Sequence, residues 1–249
     1  GQTSLLSALT QCGIKTVLTA SKFVEKVNCE YIPGRVELGE LTAGNFKLSA
    51  VYHSFLAQLL PASVLFRWIT AHTPDDARLA TIIFSSGSTA EPKGVMLTHA
   101  NISSNIEALY DAFQIGKADC ILGVLPFFHS FGFTGTLWFP LLAGVRAFYH
   151  HNPLDAAQVG KLVAKHQATF LLGTPTFLHL YLKRCEREQF KTLKFVVVGA
   201  EKLSGPLAQA FEDKFGIRPL EGYGCTELSP VAIISIPNIV EGNHEFLGN

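Results

Sequence analysis

The residues with the clearest chemical capacity are crowded into one short stretch, SSGSTAEPKG, at positions 85–94. Ser85, Ser86, Ser88 and Thr89 supply hydroxyls, Gly87 leaves room between them, and Lys93 follows Pro92 with a positive charge. Set behind an apolar strand and ahead of a helix-like run, such a loop can turn N–H groups, hydroxyls and an ammonium toward an anion. A polar connector would account for the Ser and Gly, but not for a lysine held between Pro92 and Gly94 so close behind them. The Walker pattern GxxxxGK[ST] is excluded. Five residues separate Gly87 from Lys93, and Gly94, not a hydroxyl residue, follows the lysine. The loop points to phosphate chemistry of another kind.

A scaffold must position it. The chain of 249 residues is long enough for one large domain or two modest ones. Hydrophobic residues make up 48% and charged residues only 16%, so a sizeable core is expected and disorder is not. Twenty basic residues balance twenty acidic ones with no basic block, which argues against a nucleic-acid partner. The cysteines at 12, 29, 120, 185 and 225 are scattered without a CxxC, as expected of thiols in a reducing compartment. No signal-peptide pattern opens the chain, so a cytoplasmic setting is expected. Both ends read as interior sequence, and the chain is expected to be a fragment of a longer protein.

Along the chain, residues 2–12 and 21–27 read as helices around a strand at 14–19, and 28–47 as irregular. From residue 79 a pattern repeats. Apolar strands at 79–84, 120–125, 145–149, 168–173, 193–199 and 217–224 alternate with helices near 98–113, 132–142, 154–166, from Pro175, and 204–214. A last strand lies at 230–236. The fold class is α/β, with mostly parallel sheets covered by helices. The expected division is a partial N-terminal subdomain at 1–77 and a core at 78–249. Residues 48–72 carry no Asp or Glu, and Pro61 splits them, so neither half spans a bilayer. They read as a buried helical hairpin, or as an interfacial membrane contact or docking surface.

Two further segments carry chemistry. GAEKL at 199–203 follows a strand, and EGYGCTELSP at 221–230 ends another. Together with SSGSTAEPKG, and in this order, they resemble the motifs of the adenylate-forming superfamily of acyl-CoA synthetases, luciferases and peptide-synthetase adenylation domains. LPFFHSFGFTGTL (125–137) and GTPTFL (173–178) extend the likeness. Over about 79–237 the chain is similar to the acyl-[acyl-carrier-protein] synthetase halves of bifunctional 2-acylglycerophosphoethanolamine acyltransferases. One departure stands out: Ala90 occupies a loop position where the family usually has Gly.

The resemblance implies a partial large N-terminal domain of an adenylate-forming enzyme, with the C-terminal small domain absent. It implies ATP and Mg²⁺ as cofactors, a fatty acid as substrate, and acyl carrier protein or CoA as thiol acceptor, in fatty acid and phospholipid metabolism. A chain lacking the small domain is expected to turn over poorly. Alternatives are a fatty acyl-CoA synthetase, an acyl-AMP ligase or a non-catalytic nucleotide-binding fragment. Carried over residue by residue, Ser85, Ser86, Gly87, Ser88, Thr89 and Lys93 would hold the β- and γ-phosphates. Thr226 would meet the α-phosphate and Glu227 would ligate Mg²⁺. Gly199, Ala200 and Glu201 would flank the adenine, with Glu221, Gly222, Tyr223 and Gly224 on its other side and Tyr223 stacked on the base. His129 would gate the acyl pocket, although a histidine among phenylalanines, taken alone, reads as a core residue. Phe131, Phe133, Trp138, Thr174, Pro175 and Cys225 are candidates for the pocket wall, or plain core. His99 reads as a first-turn residue and His150–His151 as a polar turn. Residues 48–72 would bring the protein to the cytoplasmic face of the inner membrane, or dock a fused acyltransferase domain.

Overall fold

A computed structural model describes residues 2–29, 31–42, 46–69, 75–85, 92–235, 237–240 and 243–246. The chain divides into two compact units, one of Gly1–Asp76 with Phe84–Gly94, the other of Ala77–Ile83 with Val95–Asn249.

The first unit contains helices α1 (Gln2–Gln11), α2 (Ser21–Val27), α3 (Leu38–Thr42), α4 (Phe46–Leu59) and α5 (Ala62–Ile69). Strands β1 (Val17–Thr19) and β2 (Arg35–Glu37) pair in parallel. The expectation of irregular structure over 28–47 is therefore corrected. The pairing of β2 joins it to residues eighteen positions earlier (Val17 with Arg35), which local sequence does not display. Val24, Cys29 and Ile32 form a small core, and the Glu37 carboxylate ties Ser21 and Arg35 together. Pro61 separates α4 from α5, and its carbonyl accepts from Val64 and Leu65 to start α5. Val51, Tyr52, Phe55 and Leu59 are exposed on α4. Among the described residues, no helix is long and apolar enough to cross a membrane.

Strands β3 (Leu79–Ser85) and β4 (Lys93–Thr98) form a two-stranded sheet, and α6 (His99–Phe113) follows at once. This corrects the reading of a loop set on a helix N-terminus, because strand β4 intervenes. Lys93–Thr98 alternates Val95 and Leu97 inward with Met96 outward, the period of a strand. Helix α6 is started separately by a capping box: Thr98 accepts from the Asn101 N–H, and the Asn101 side chain accepts from the Thr98 N–H. His99 is its first residue, as the sequence suggests.

The remaining strands are β5 (Cys120–Gly123), β6 (Arg146–Tyr149), β7 (Phe170–Gly173), β8 (Phe195–Val198), β9 (Leu220–Gly224) and β10 (Val231–Ile234). They form one sheet in the order β10-β9-β8-β7-β5-β6, parallel throughout except for the antiparallel edge strand β10. Helix α7 (Ser130–Gly132), a π-helical stretch (Phe133–Trp138) and α8 (Phe139–Ala143) connect β5 to β6. Helices α9 (Ala156–His166), α10 (Pro175–Arg184) and α11 (Gly205–Phe215) are the later crossovers, and β11 (Pro237–Val240) and β12 (Asn243–Phe246) form a separate pair.

The central strands are apolar at every position because both faces are covered. Cys120, Leu122, Leu171, Val196 and Val198 pack against α9, α10 and α11 through Val159, Val163, Leu178, Tyr181 and Phe211. The alternate residues Ile121, Phe170, Leu172 and Val197 pack on the other face against Ile102, Ile106, Leu109 and Phe113 of α6 and Phe139. Thr174 caps α10 ahead of Pro175, and Asp155 caps α9.

Candidate active site

The two neighbours of β5 are β6 and β7, so the chain leaves β5 toward one side of the sheet and returns on the other. In such sheets ligands bind beyond the carboxyl ends of the strands near this reversal. At that edge lie Pro126–Ser130 after β5, Thr174 after β7, Gly199–Leu203 after β8 and Cys225–Pro230 after β9. Four of the segments singled out from sequence thus meet at one end of one sheet.

The Gly199 turn is closely built. A Cβ at Gly199 would stand 3.2 Å from the Gly222 carbonyl oxygen and 3.3 Å from the Phe131 ring, so a side chain there would be crowded by both. Ala200 has φ +66°, in the left-handed region. Among the described residues, the other non-glycine ones there, Asn28, Gln114, Gln167 and Ser229, each follow a helix. Ala200 instead sits between a strand and a helix, at a cost of about 1–2 kcal/mol. Residues held this way cluster at functional sites. Two acids fix the turn. The Glu201 carboxylate accepts from the Thr176 N–H at 3.2 Å and the Thr176 hydroxyl at 2.7 Å. The Glu221 carboxylate accepts from the Leu203 N–H at 2.9 Å.

The 221–230 segment is held from three sides. A Cβ at Gly224 would collide with the Pro230 carbonyl, so only glycine fits. The Ser130 and Thr226 hydroxyls lie 3.3 Å apart. The Asn105 amide of α6 donates to the Val231 carbonyl at 2.7 Å and to that of Leu228 at 3.3 Å. The Ser229–Pro230 bond is cis. Glu227, in the short 3₁₀ turn Thr226–Leu228, is exposed and has no hydrogen-bond partner among the described residues. Tyr223 is 67% exposed, leaving its ring face open.

His129 is exposed, not packed among the phenylalanines around it. It caps the helix beginning at Ser130, its Nδ1 accepting from the Phe131 N–H at 3.4 Å. That helix widens into a π stretch, where the Phe139 N–H donates to Thr134 five residues back. Two side chains occupy carbonyls along it: the Thr136 hydroxyl donates to Gly132 at 2.7 Å and the Tyr149 hydroxyl to Thr136 at 3.0 Å. Such stretches mark functional sites more often than chance.

Under this helix runs an apolar seam, lined by Phe131, Gly135 and Phe139 from the helix and by Phe170, Leu172 and Val197 from the sheet. Leu109 and Phe113 of α6 and Val231 and Ile234 of β10 close it, leaving a cavity of about 10 Å³. Of the candidate wall residues, Phe131 lines it; Phe133, Trp138, Thr174, Pro175 and Cys225 do not.

Of the phosphate-loop residues, Ser85 ends β3 and Lys93 opens β4 with its side chain exposed, both in the first unit. Ser86, Gly87, Ser88, Thr89 and Ala90 lie outside the described residues. Sequence reasoning missed Asn105, Thr176 and Ser130. Ser130 and Thr176 lie inside segments already singled out, 125–137 and 173–178, and were within reach. Asn105 was not, because its contacts lie 123 and 126 positions away.

The family model of the AMP-binding enzymes matches residues 2–246, and the chain belongs to that family. A long-chain-fatty-acid–CoA ligase of Bacillus subtilis is 33% identical over 159 residues, covering 61% of this chain and 28% of the ligase. A medium-chain-fatty-acid–CoA ligase of Ectopseudomonas oleovorans is 28% identical over 167 residues, covering 66% of this chain and 30% of that protein. The chain therefore spans under a third of the length of either. Among solved structures, the O-succinylbenzoate coenzyme A synthetase of Bacillus subtilis in complex with ATP and magnesium matches 94% of this chain and 44% of its own. Its TM-score is 0.74 at 22% identity, which establishes a shared α/β fold.

Proposed function

We propose that this chain is the nucleotide- and acyl-binding core of an enzyme that activates a fatty acid with ATP and Mg²⁺ and passes it to the thiol of acyl carrier protein. The observation that carries the reading is the position of Phe131. Its ring abuts the strained turn at Gly199 on one side and lines the apolar seam on the other, so a polar turn and an apolar recess share one wall.

In the first step a carboxylate oxygen of the fatty acid attacks the α-phosphorus of ATP. The bond to pyrophosphate breaks, its electron pair leaving with pyrophosphate, and acyl-AMP remains. In the second, the thiolate sulfur attacks the acyl carbon and the C–O bond to AMP breaks. Charge builds on phosphoryl oxygens, so positioned donors and cations do most of the work. Thr226, steadied by Ser130, donates to the α-phosphate. Ser85–Thr89 and Lys93 take the outer phosphates. The Glu227 carboxylate, without a partner among the described residues, fits a magnesium ion, which is commonly held by one or two carboxylates together with substrate phosphates. When bound, that ion neutralises the developing charge. Tyr223 offers its open face to the adenine. Glu201 is engaged by Thr176 and shapes the turn. His129, exposed and two residues ahead of Phe131, would gate the acyl chain.

ATP–pyrophosphate exchange by the full-length gene product with hexadecanoate tests the reading, and Thr226→Ala is expected to cut it about 100-fold. Absence of exchange with every fatty acid would overturn it. A second reading, transfer to CoA, is favoured by the likeness to fatty-acid–CoA ligases. Supplying acyl carrier protein and CoA separately decides between them.

The exposed apolar residues of α4 support a further part of the proposal, contact with the cytoplasmic face of a membrane. Liposome flotation that survives Leu59→Glu with Leu65→Glu would sink it.

A further inference from the structure

We infer that Gly135 sets the length of acyl chain the seam accepts; the inference rests on the activation reading above. Phe131, Gly135 and Phe139 line the helical wall at intervals of four. Gly135 interrupts what would otherwise be a continuous row of rings. A Cβ there would stand 3.1 Å from Leu172 Cδ1 on the facing strand and 3.8 Å from the Phe131 ring. Helix and strand therefore approach so closely at the middle of the seam that a side chain there would have to displace Leu172.

All ten lining residues are apolar, so the recess suits an unsubstituted hydrocarbon tail and offers nothing to a polar one. Its volume of about 10 Å³ admits at most one water, so a tail enters by turning side chains aside. Nine of the ten lining residues have side chains that can turn. At residue 135 only backbone stands in the way, and any substituent is fixed against Leu172. From Phe131, beside the Gly199 turn, to Phe139 the wall is about 12 Å long at a helical rise, with Gly135 halfway. A short tail stops before Gly135, and a long one must pass it.

The test is the ratio of kcat/KM for hexadecanoate to that for butanoate in ATP–pyrophosphate exchange by the full-length gene product. Gly135→Leu is expected to lower this ratio at least tenfold while butanoate stays within about threefold, with Gly135→Ala between the two. Leu172→Ala opens the same place from the sheet side and should raise the ratio, which decides the matter even if Gly135→Leu does not fold. Equal losses on both acids in the Gly135 variants, or a ratio unmoved by Leu172→Ala, would overturn the inference and leave the proposed function standing. A wild-type protein that activates no fatty acid would sink both.

Discussion

Asp119 and Glu227 are two acids at opposite edges of the same sheet, and their surroundings could hardly differ more. Asp119 precedes β5 at the amino edge and is 5% exposed. It accepts from Lys194 Nζ at 2.7 Å and from the Gly116 N–H at 2.9 Å, with the Thr169 hydroxyl also contributing. Burial alone would raise its pKa, but these donors outweigh it and hold the carboxyl below the usual 3.8. Its lone pairs are spent on tying the starts of β5, β7 and β8 together. Glu227, at the carboxyl edge, is exposed and has no partner among the described residues. The loop around it, by contrast, is pinned, with Asn105 on the Leu228 and Val231 carbonyls and Ser130 on the Thr226 hydroxyl. The acid that serves stability is satisfied by the fold; the one proposed to serve a ligand sits in a held loop with its oxygens left open.

The comparison breaks most sharply under substitution. Glu227→Gln should reduce ATP–pyrophosphate exchange about 100-fold while leaving the melting temperature within a degree or two, because no folded-state partner is lost. An equal fall in stability and activity would erase the distinction. Asn105→Ala removes the amide that holds the Thr226–Glu227 loop from outside the site. About a tenfold loss in kcat with little change in KM for ATP is expected, together with about 1 kcal/mol of stability. Asn105→Gln restoring neither would count against a positioning role.

Asp119→Asn should do the reverse, costing about 1 kcal/mol at neutral pH and leaving exchange unchanged. Because the folded pKa is depressed, this contribution is fully present above about pH 3.8 and fades as pH falls through the folded value. Denaturant melts of both proteins should therefore converge in acid, and a constant gap down to pH 2 would contradict the assignment. The smallest effect belongs to Ala200→Gly. Relief of the left-handed strain and the greater unfolded-state freedom of glycine nearly cancel, so a change under about 0.5 kcal/mol is expected in the same melts.

Much of the second unit could be read from local pattern. Fully apolar runs such as FLLG and FVVV, separated by helices with Thr174–Pro175 and Asp155 at their starts, carry the parallel sheet in their own chemistry. What escaped depended on distant partners. Strand β2 is legible only beside β1, and β4 only once Lys93–Thr98 finds β3. The π stretch is hidden because its side-chain bonds include one from Tyr149, on another strand. Ala90, the departure from the family loop, lies outside the described residues; among those described, the left-handed residue between a strand and a helix is Ala200.

The order of the motifs and their residue types determined the class of protein, because phosphate loops and carboxylate-bearing turns are short and their chemistry is local. Which residues form the apolar recess was decided only in three dimensions. Phe131 was a candidate from its neighbours in sequence, but Gly135, Leu172 and Ile234 become one surface only when helix, sheet and edge strand close on each other. A hydrocarbon tail is recognised by shape and contact alone, and shape belongs to the packed chain, not to any short run of residues.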